Sequence, residues 1–227
     1  MSNLIREYIK ASAKSVLKES KDRFLHNQIP VRIKDPFIQP IDLDYVLSKV
    51  EKILPIYMLG AIDSIYVGQF DFLNEREVNA MYHEGAIYTT NFQDNEDDLL
   101  DDIVHEVAHS VEELKGMEIY SDGLIEKEFL GKRNRLKSMF ESEGIKVESD
   151  LLYNPEYSLE FDEFLYKDVG YPLLTNLTMG LFYSPYGITS LREYFANGFE
   201  AFFLHGDAHH LKKISPQLFS KLESLTE

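Results

Sequence analysis

The sequence predicts an α+β protein in which a small, mostly antiparallel sheet packs on one long helix and the C-terminal half is helical. Two short segments, SIYVGQF (64–70) and AIYTTNF (86–92), are rich in the β-branched and aromatic residues that strands favour. After position 93, apolar residues recur at helical spacing through most of the chain. Strands followed by a run of helices, rather than alternating with helices, indicate an α+β architecture.

The N-terminal part of the chain, residues 1–58, is predicted to be mainly helical. Residues 3–22 carry apolar side chains at helical spacing, which predicts an amphipathic helix. Prolines at 30, 36 and 40 indicate an irregular connection, because proline lacks the N–H that helices and sheets use. A second helix is predicted through LDYVLSKVEKIL (43–54), with Asp42 as its N-cap.

The region between the two strand segments holds a candidate third strand, NAMYH (79–83). His-Glu-Gly at 83–85 is predicted to form the turn into AIYTTNF. Strands joined by a tight turn pair antiparallel, so the sequence predicts a small antiparallel meander.

The segment QDNEDDLLDDIVHEVAHSVEELKG (93–116) predicts one long helix. Acidic residues crowd its start, where they complement the positive end of the helix dipole, and Gly116 is predicted to end it. A buried stripe is predicted from Leu99, Leu100, Ile103, Val107, Val111 and Leu114. Further helices are predicted at 123–143, 158–167, 171–182, 189–204 and 215–225.

Length and composition favour a single domain, 1–227. The chain has 227 residues, of which 44% are hydrophobic, and this is enough for one sizeable core. A net charge of −16 opposes binding to nucleic acids or to anionic membranes, which select clustered lysine and arginine. The absence of cysteine excludes disulfides, thiolate zinc sites and cysteine nucleophiles.

The N-terminus does not resemble a secretory signal, and the sequence contains no transmembrane run. Charged residues interrupt the first twenty positions, whereas a signal peptide has a continuous apolar core. The sequence therefore predicts a cytoplasmic protein, or one delivered without a conventional signal peptide. Its oligomeric state stays open.

The long helix contains His-Glu-x-x-His, a pattern that suits a zinc site. Residues four apart lie on the same helical face, so His105 and His109 can direct two imidazoles at one metal ion. Glu106 lies about 100° around the helix from His105, beside the metal, where it can take a proton from a metal-bound water. Chance also produces this pattern on helices that hold two histidines, so the third ligand matters.

A catalytic zinc site commonly has three protein ligands. The chain lacks the glycine and histidine extension that supplies the third ligand in one large class of such enzymes. Glu126 and Glu128 have the spacing of a thermolysin-like third ligand, but they lie in a highly charged stretch typical of a solvated face. Glu193 is the stronger candidate, because it lies in LREYFANGFEAFF, a largely apolar and aromatic helix. An alternative is that Glu193 pairs with Arg192 on the surface.

HEVAH, taken together with Tyr186-x6-Glu193-Tyr-Phe-Ala, resembles the anthrax lethal factor-type zinc peptidases, which include the Pro-Pro endopeptidases. The resemblance covers roughly 60–115 and 183–204, and it implies a zincin-like metallopeptidase fold with one Zn²⁺ per chain. It implies His105, His109 and Glu193 as zinc ligands. It also implies Glu106 as the catalytic glutamate and Tyr186 as the active-site tyrosine.

Two departures from this family stand out. Glu193 lies 84 residues after His109, which is longer than the family's usual interval and predicts a helical insertion at 117–180. Position 197 is Asn where the family often has a second acidic residue that supports the site. Glu200, one turn later, is a candidate substitute.

The resemblance implies a zinc-dependent endopeptidase whose substrate is a peptide or protein. Glu106 would act as general base, and the Tyr186 hydroxyl would stabilise the oxyanion of the tetrahedral intermediate. Tyr183 competes with Tyr186, since both lie in YSPYG, but the spacing to Glu193 favours Tyr186. AIYTTNF is a candidate edge strand for pairing with an extended substrate, and an ordinary internal strand is the alternative.

Three other interpretations stay open at this stage. HGDAHH (205–210) offers three histidines for a second metal site, although a surface or capping role is commoner. The chain could be a catalytically inactive zincin-fold binding or structural protein, which the intact Glu106 argues against. A Mg²⁺-dependent nuclease is the third, but acidic charge and a bis-histidine pair suit zinc and peptides better.

Overall fold

A computed structural model describes residues 23–226, so the predicted helix at 3–22 lies outside the described residues. The described chain divides into two compact units whose boundary in sequence falls between Val107 and Ala108, inside one long helix. The architecture is α+β, as predicted. No helix in the described range combines the length and the apolar character needed to cross a membrane.

The first unit contains a mixed five-stranded sheet, so the prediction of a mostly antiparallel sheet was wrong. Its strands are β1 (Arg23–Leu25), β2 (Ile29–Ile33), β3 (Ser64–Gly68), β4 (Ala80–His83) and β5 (Ala86–Thr90), in the order β1-β2-β3-β5-β4. The two hairpins, β1–β2 and β4–β5, are antiparallel, but β3 pairs in parallel with both β2 and β5. Long connections between these parallel strands permit the crossovers that parallel pairing requires.

The first hairpin replaces the irregular connection expected around Pro30. Pro30 lies in β2 opposite Phe24 of β1, whereas the pairing of β2 with β3 begins only at Val31. The missing N–H of proline is therefore outside the parallel ladder, where a strand tolerates it.

Strand β5 is internal, and the expectation that AIYTTNF forms a peptide-binding edge was wrong. It lies between β3 and β4, and its backbone pairs on both sides over Ala86–Thr90. Among the described strands, β4 takes an edge position instead. The turn between β4 and β5 uses Glu84 and Gly85, both with positive φ, at the place predicted.

Between residues 34 and 79, two α-helices and a 3₁₀ turn (Ile56–Leu59) accompany the sheet. Helix α1 (Leu43–Ile53) begins as predicted at Asp42, whose side chain accepts a hydrogen bond from the Tyr45 N–H at 3.0 Å. Its buried residues fall at helical spacing and are Leu43, Val46, Leu47 and Val50. Helix α2 (Asp71–Arg76) is too short for a periodicity signal and was not predicted.

The long predicted helix, α3 (Glu96–Tyr120), spans the boundary between the units. Most of the predicted stripe is buried, but Leu114 is 53% exposed. Gly116 does not end the helix, which continues for another turn after a local distortion at Lys115. The chain turns at Gly123 instead, whose φ of 67° lies in the left-handed region that glycine adopts at low cost.

The second unit is helical, as expected for the C-terminal half. After α3 come α4 (Leu124–Ser142), α5 (Ser149–Tyr153), α6 (Leu159–Glu163), a π-helical turn (Phe164–Val169) and α7 (Tyr171–Thr178). A 3₁₀ turn (Tyr186–Ile188) then leads to α8 (Leu191–Phe203), α9 (Ala208–Ile214) and α10 (Pro216–Ser224). The predicted helices are present, and α5 and α9 are short additions. The segment predicted as an insertion is helical, and its status as an insertion stays a prediction.

Aromatic side chains form much of the core of the second unit. The fully buried rings are Phe129, Phe140, Phe161, Phe195 and Phe199. Helix α10 approaches α8 closely at Gly198, where an added Cβ would lie 2.3 Å from Cδ2 of Leu218. Glycine at this position therefore allows the two helices to pack at short range.

We predict that Asp102 makes the stability of the first unit depend on pH. Burial raises the pKa of Asp102 to about 6. A hydrogen bond from Gln93 at 2.8 Å acts in the opposite direction, and the negative charge of Glu106 adds to the increase. The carboxyl stays protonated in the fold at pH values where the unfolded chain ionises it, so its favourable contribution is lost as pH rises from about 4 to about 6. Asp102→Asn should stabilise the metal-free protein by about 2 kcal/mol at pH 7 and little at pH 4.

Unfolding midpoints of both proteins in the presence of a chelator, measured at pH 4 and pH 7, test this prediction. Asp101→Asn, at the exposed neighbouring position, is the control and should show a much smaller pH dependence, because its charge is the smallest of the effects that raise the pKa of Asp102. An equal difference between wild type and Asp102→Asn at the two pH values would contradict it.

Candidate metal centre

The structure brings together the three residues that the sequence nominated as zinc ligands. His105 and His109 lie one turn apart on α3, and Glu193 lies in the first turn of α8. One ligand atom from each of the three lies within 4.8 Å of the others, and His109 Nε2 is 3.5 Å from Glu193 Oε1. Within residues 23–226 this is the one such group of three or more potential metal ligands.

The local sequence of α3 explains why both histidines occupy one face. Val104, Val107 and Ala108 are fully buried and hold the other faces of the helix in the core. The four-residue spacing then places His105 and His109 above one another on the remaining face. His109 is only 9% exposed, and this restricts its imidazole to a narrow range of orientations.

Glu193 is positioned by the capped start of α8. The Ser190 hydroxyl accepts a hydrogen bond from the Glu193 N–H at 3.1 Å and so begins the helix at that point. Tyr194 and Phe195 follow it into the core, and they are 2% and 0% exposed. The Glu193 side chain is itself 15% exposed. Arg192 does not pair with Glu193 as the surface alternative supposed, since its Nε lies 3.5 Å from Glu112.

Glu112 is a residue of this cluster that the sequence analysis missed. Its Oε2 lies 2.8 Å from Nδ1 of His109, and its carboxylate also accepts a hydrogen bond from the Tyr120 hydroxyl. A carboxylate acceptor places a proton of His109 on Nδ1, and Nε2 is then the ring nitrogen that faces Glu193. The i, i+3 spacing of His109 and Glu112 was the available signal.

Tyr120 is held in its neutral, donating form. Burial, followed by the negative charge of Glu112, raises the pKa of Tyr120 far above its ordinary value. The phenol therefore keeps its proton throughout the physiological range and donates a hydrogen bond to Glu112. Together with Arg192, Tyr120 fixes the carboxylate that orients His109.

Asn197 serves the turn before α8 rather than standing in for an acidic support residue. It is buried, and its Oδ1 accepts a hydrogen bond from the Ser184 hydroxyl. An added Cβ at Gly187 would lie 3.1 Å from that same oxygen, so the turn packs tightly against Asn197. Glu112 orients His109 in this structure, and the suggested role of Glu200 stays untested.

Glu106 is buried on α3, and its carboxylate accepts a hydrogen bond from a strand of the sheet. Its Oε2 accepts a hydrogen bond from the Tyr82 N–H of β4 at 2.5 Å. The side chain is therefore fixed in orientation within the first unit, and the residue as a whole is only 7% exposed.

The two tyrosines that compete for an active-site role occupy different surroundings. Tyr186 begins the 3₁₀ turn before α8 and is 37% exposed. The ring of Tyr183 stacks on His205 at 6.0 Å and also lies beside His210. Part of the HGDAHH stretch is thus engaged in ring packing. Its three histidines form no ligand cluster in the range that the structure describes.

The thermolysin-like alternative for the third ligand was wrong. Glu128 accepts hydrogen bonds from the Tyr194 hydroxyl at 2.9 Å and from the backbone N–H groups of Gln217 and Leu218. It therefore caps the N-terminus of α10. Glu126 is exposed in the first turn of α4 and takes no part in the ligand cluster.

A buried lysine and serine form a second polar pair in this unit. Lys132 Nζ donates to the Ser215 hydroxyl at 2.5 Å, and burial lowers the pKa of Lys132 to about 8. Ser215 is 0% exposed, so no substrate reaches its hydroxyl in this structure. The pair joins α4 to the start of α10.

Comparison of this chain with family models, with curated proteins and with solved structures found no match.

We predict that Glu112 controls metal affinity through His109. Glu112→Ala removes the acceptor for the Nδ1 proton, and we expect zinc to bind about 10- to 100-fold more weakly. Glu112→Gln, which keeps one acceptor oxygen, should lie between that variant and wild type. Competition with a chromogenic chelator measures the affinities. Glu113→Gln, at the exposed next position, is the matched control, and equal zinc affinity in Glu112→Ala and Glu113→Gln would refute the role.

Proposed function

We propose that this chain is a zinc-dependent endopeptidase with a zincin-like fold, related to the lethal factor-type peptidases. One Zn²⁺ per chain is held by His105, His109 and Glu193. The observation that carries the proposal is the convergence of these three side chains, within 4.8 Å of one another, from a His-Glu-x-x-His helix and a helix 84 residues further on.

The donor set suits catalytic zinc. Two imidazole nitrogens and one carboxylate oxygen are the ligands of a common class of hydrolytic zinc sites, and they leave a coordination position for water. Bound zinc supplies Lewis acidity that activates water and polarises a carbonyl. Oxygen-rich sites are typical of Mg²⁺, so the two histidines favour a peptidase over a Mg²⁺-dependent nuclease.

Glu106 is proposed as the general base. It follows His105 directly on α3, and its carboxylate is buried and oriented by the Tyr82 N–H. A positioned carboxylate accepts the proton of the attacking water and delivers it to the leaving amine. Retention of this residue argues against the alternative of an inactive zincin-fold binding or structural protein.

Tyr186 is proposed as the hydrogen-bond donor to the oxyanion. It is partly exposed, and its turn leads directly into the helix that carries Glu193. A phenol placed where negative charge develops stabilises the transition state more than the ground state. Tyr183 is less suited to this role because its ring packs on His205.

The substrate class is peptide or protein, rather than nucleic acid or membrane lipid. The net charge of −16 repels phosphate backbones and anionic headgroups and attracts basic peptides. The acidic balance therefore favours basic peptides as substrates.

We predict about one zinc per chain in the wild type and in Glu106→Gln, with peptide cleavage reduced at least about 100-fold in Glu106→Gln. Glu193→Ala should lose zinc, because only two ligands remain. Metal content by mass spectrometry and cleavage of a peptide library measure these outcomes, with Glu113→Gln as the control.

Undiminished zinc affinity in Glu193→Ala would refute its assignment as a ligand. A zinc-loaded wild type that cleaves no peptide would favour the inactive binding protein. Cleavage by Glu106→Gln at the wild-type rate would remove Glu106 as general base.

A further inference from the structure

Arg133, on α4, is a fully buried cation whose hydrogen-bond acceptors are backbone carbonyls. Its three nitrogens donate at 2.5–3.1 Å to the carbonyls of Leu152, Asn154, Ile188 and Thr189. The guanidinium also lies over the rings of Phe129 and Phe161, at 4.4 and 4.6 Å from their centroids. Burial lowers the pKa of Arg133 to about 9, so the side chain remains charged at neutral pH.

Burial of this charge requires the four carbonyls to converge. A buried guanidinium is costly unless its N–H groups are satisfied, and Arg133 uses all three nitrogens. The acceptors come from two separate segments, 152–154 and 188–189. Arg133 therefore ties these two segments together from inside the unit.

One of the tied segments, 188–189, lies between Tyr186 and the start of α8. The Thr189 N–H and hydroxyl both donate to the Tyr186 carbonyl, at 3.0 and 2.8 Å, and thereby close the turn. Ser190, the next residue, caps the helix of Glu193. The Arg133 hydrogen bonds to Ile188 and Thr189 thus hold the backbone between the proposed oxyanion donor and the proposed ligand.

The other tied segment borders the same helix. The Leu191 N–H donates to the Pro155 carbonyl at 2.7 Å, which continues the contact into the first turn of α8. Tyr157, two residues further on, is close enough for the charge of Glu193 to contribute to its raised pKa, after burial and a hydrogen bond to Asp162. The two segments that Arg133 joins therefore both lie beside the first turn of α8.

We propose that Arg133 is a positioning residue of this site. Its buried guanidinium sets where the Tyr186 turn lies against residues 152–155, and through that turn it places the Tyr186 phenol. Lysine cannot replace it, because a single ammonium group cannot reach four carbonyls that a planar guanidinium engages in a fork. The catalytic consequence rests on the proposed peptidase function, whereas the effect on the turn does not.

The first experiment compares Arg133→Lys with the wild type in peptide cleavage. A displaced Tyr186 weakens a contact made in the transition state, so kcat should fall about 10- to 100-fold while KM and zinc content change less than about twofold. Lys132→Met is the matched control, because Lys132 is also a buried cation of α4 but bonds to Ser215. It should lower the unfolding temperature and leave kcat within about twofold of wild type.

A double-mutant cycle separates positioning from general destabilisation. If Arg133 acts through Tyr186, Arg133→Lys should have little further effect on kcat in a Tyr186→Phe background. Full additivity of the two losses in kcat would overturn the proposal.

A fluorescence experiment tests the same idea without relying on activity. The chain has no tryptophan, so Tyr186→Trp introduces a single indole at the turn. Acrylamide should quench that indole more strongly when Arg133→Lys is added, and not when Lys132→Met is added. Unchanged quenching would overturn the proposal even in an active enzyme. A wild type without peptidase activity would refute the proposed function and leave this measurement valid.

Circular dichroism verifies that each variant folds. If Arg133→Lys is unfolded, Arg133→Gln takes its place, since it removes the buried charge and keeps two donors. Stronger quenching of the indole in that variant supports the proposal, and quenching equal to that of the parent overturns it.

Discussion

The imidazole of His109 lies between two carboxylates, and the candidate metal centre depends on that arrangement. Glu112 accepts the Nδ1 proton at 2.8 Å, while Nε2 lies 3.5 Å from Glu193. The first contact fixes the ring plane of His109, and the second places Nε2 beside a carboxylate from another helix. The proposed zinc chemistry requires both contacts at once, because a ligand atom that can rotate away does not define a site.

Buried polar side chains organise the second unit around this centre. Glu112 accepts a hydrogen bond from Tyr120 and forms an ion pair with Arg192. Lys132 donates a hydrogen bond to Ser215, and Arg133 donates to four backbone carbonyls. Each buried group is satisfied only when its partners adopt one relative position, so the groups specify geometry more than they add stability. The proposed peptidase site needs such fixed geometry, because small displacements of a catalytic group reduce the rate steeply.

Helices were more predictable from the sequence than the sheet, because helix signals are local whereas strand pairing is not. The stripe of α3 and the cap of α1 are local patterns, readable within a few residues. Parallel pairing of β3 with β2 and with β5 joins strands distant in sequence, and no local pattern reveals it. The helix end expected at Gly116 came later, because Gly116 lacks the left-handed backbone that the chain adopts only at Gly123, between α3 and α4.

The sequence by itself determined which residues could bind a metal, because four-residue spacing on one helix places His105 and His109 on a shared face whatever surrounds them. It also singled out Glu193, a charged residue in an aromatic helix. Only the tertiary structure decided that Glu193 reaches His109, that Glu112 orients the imidazole, and that Arg133 joins 152–154 to 188–189. These contacts depend on how helices pack and on which backbone carbonyls remain for a buried donor, and neither follows from the periodicity of a single segment.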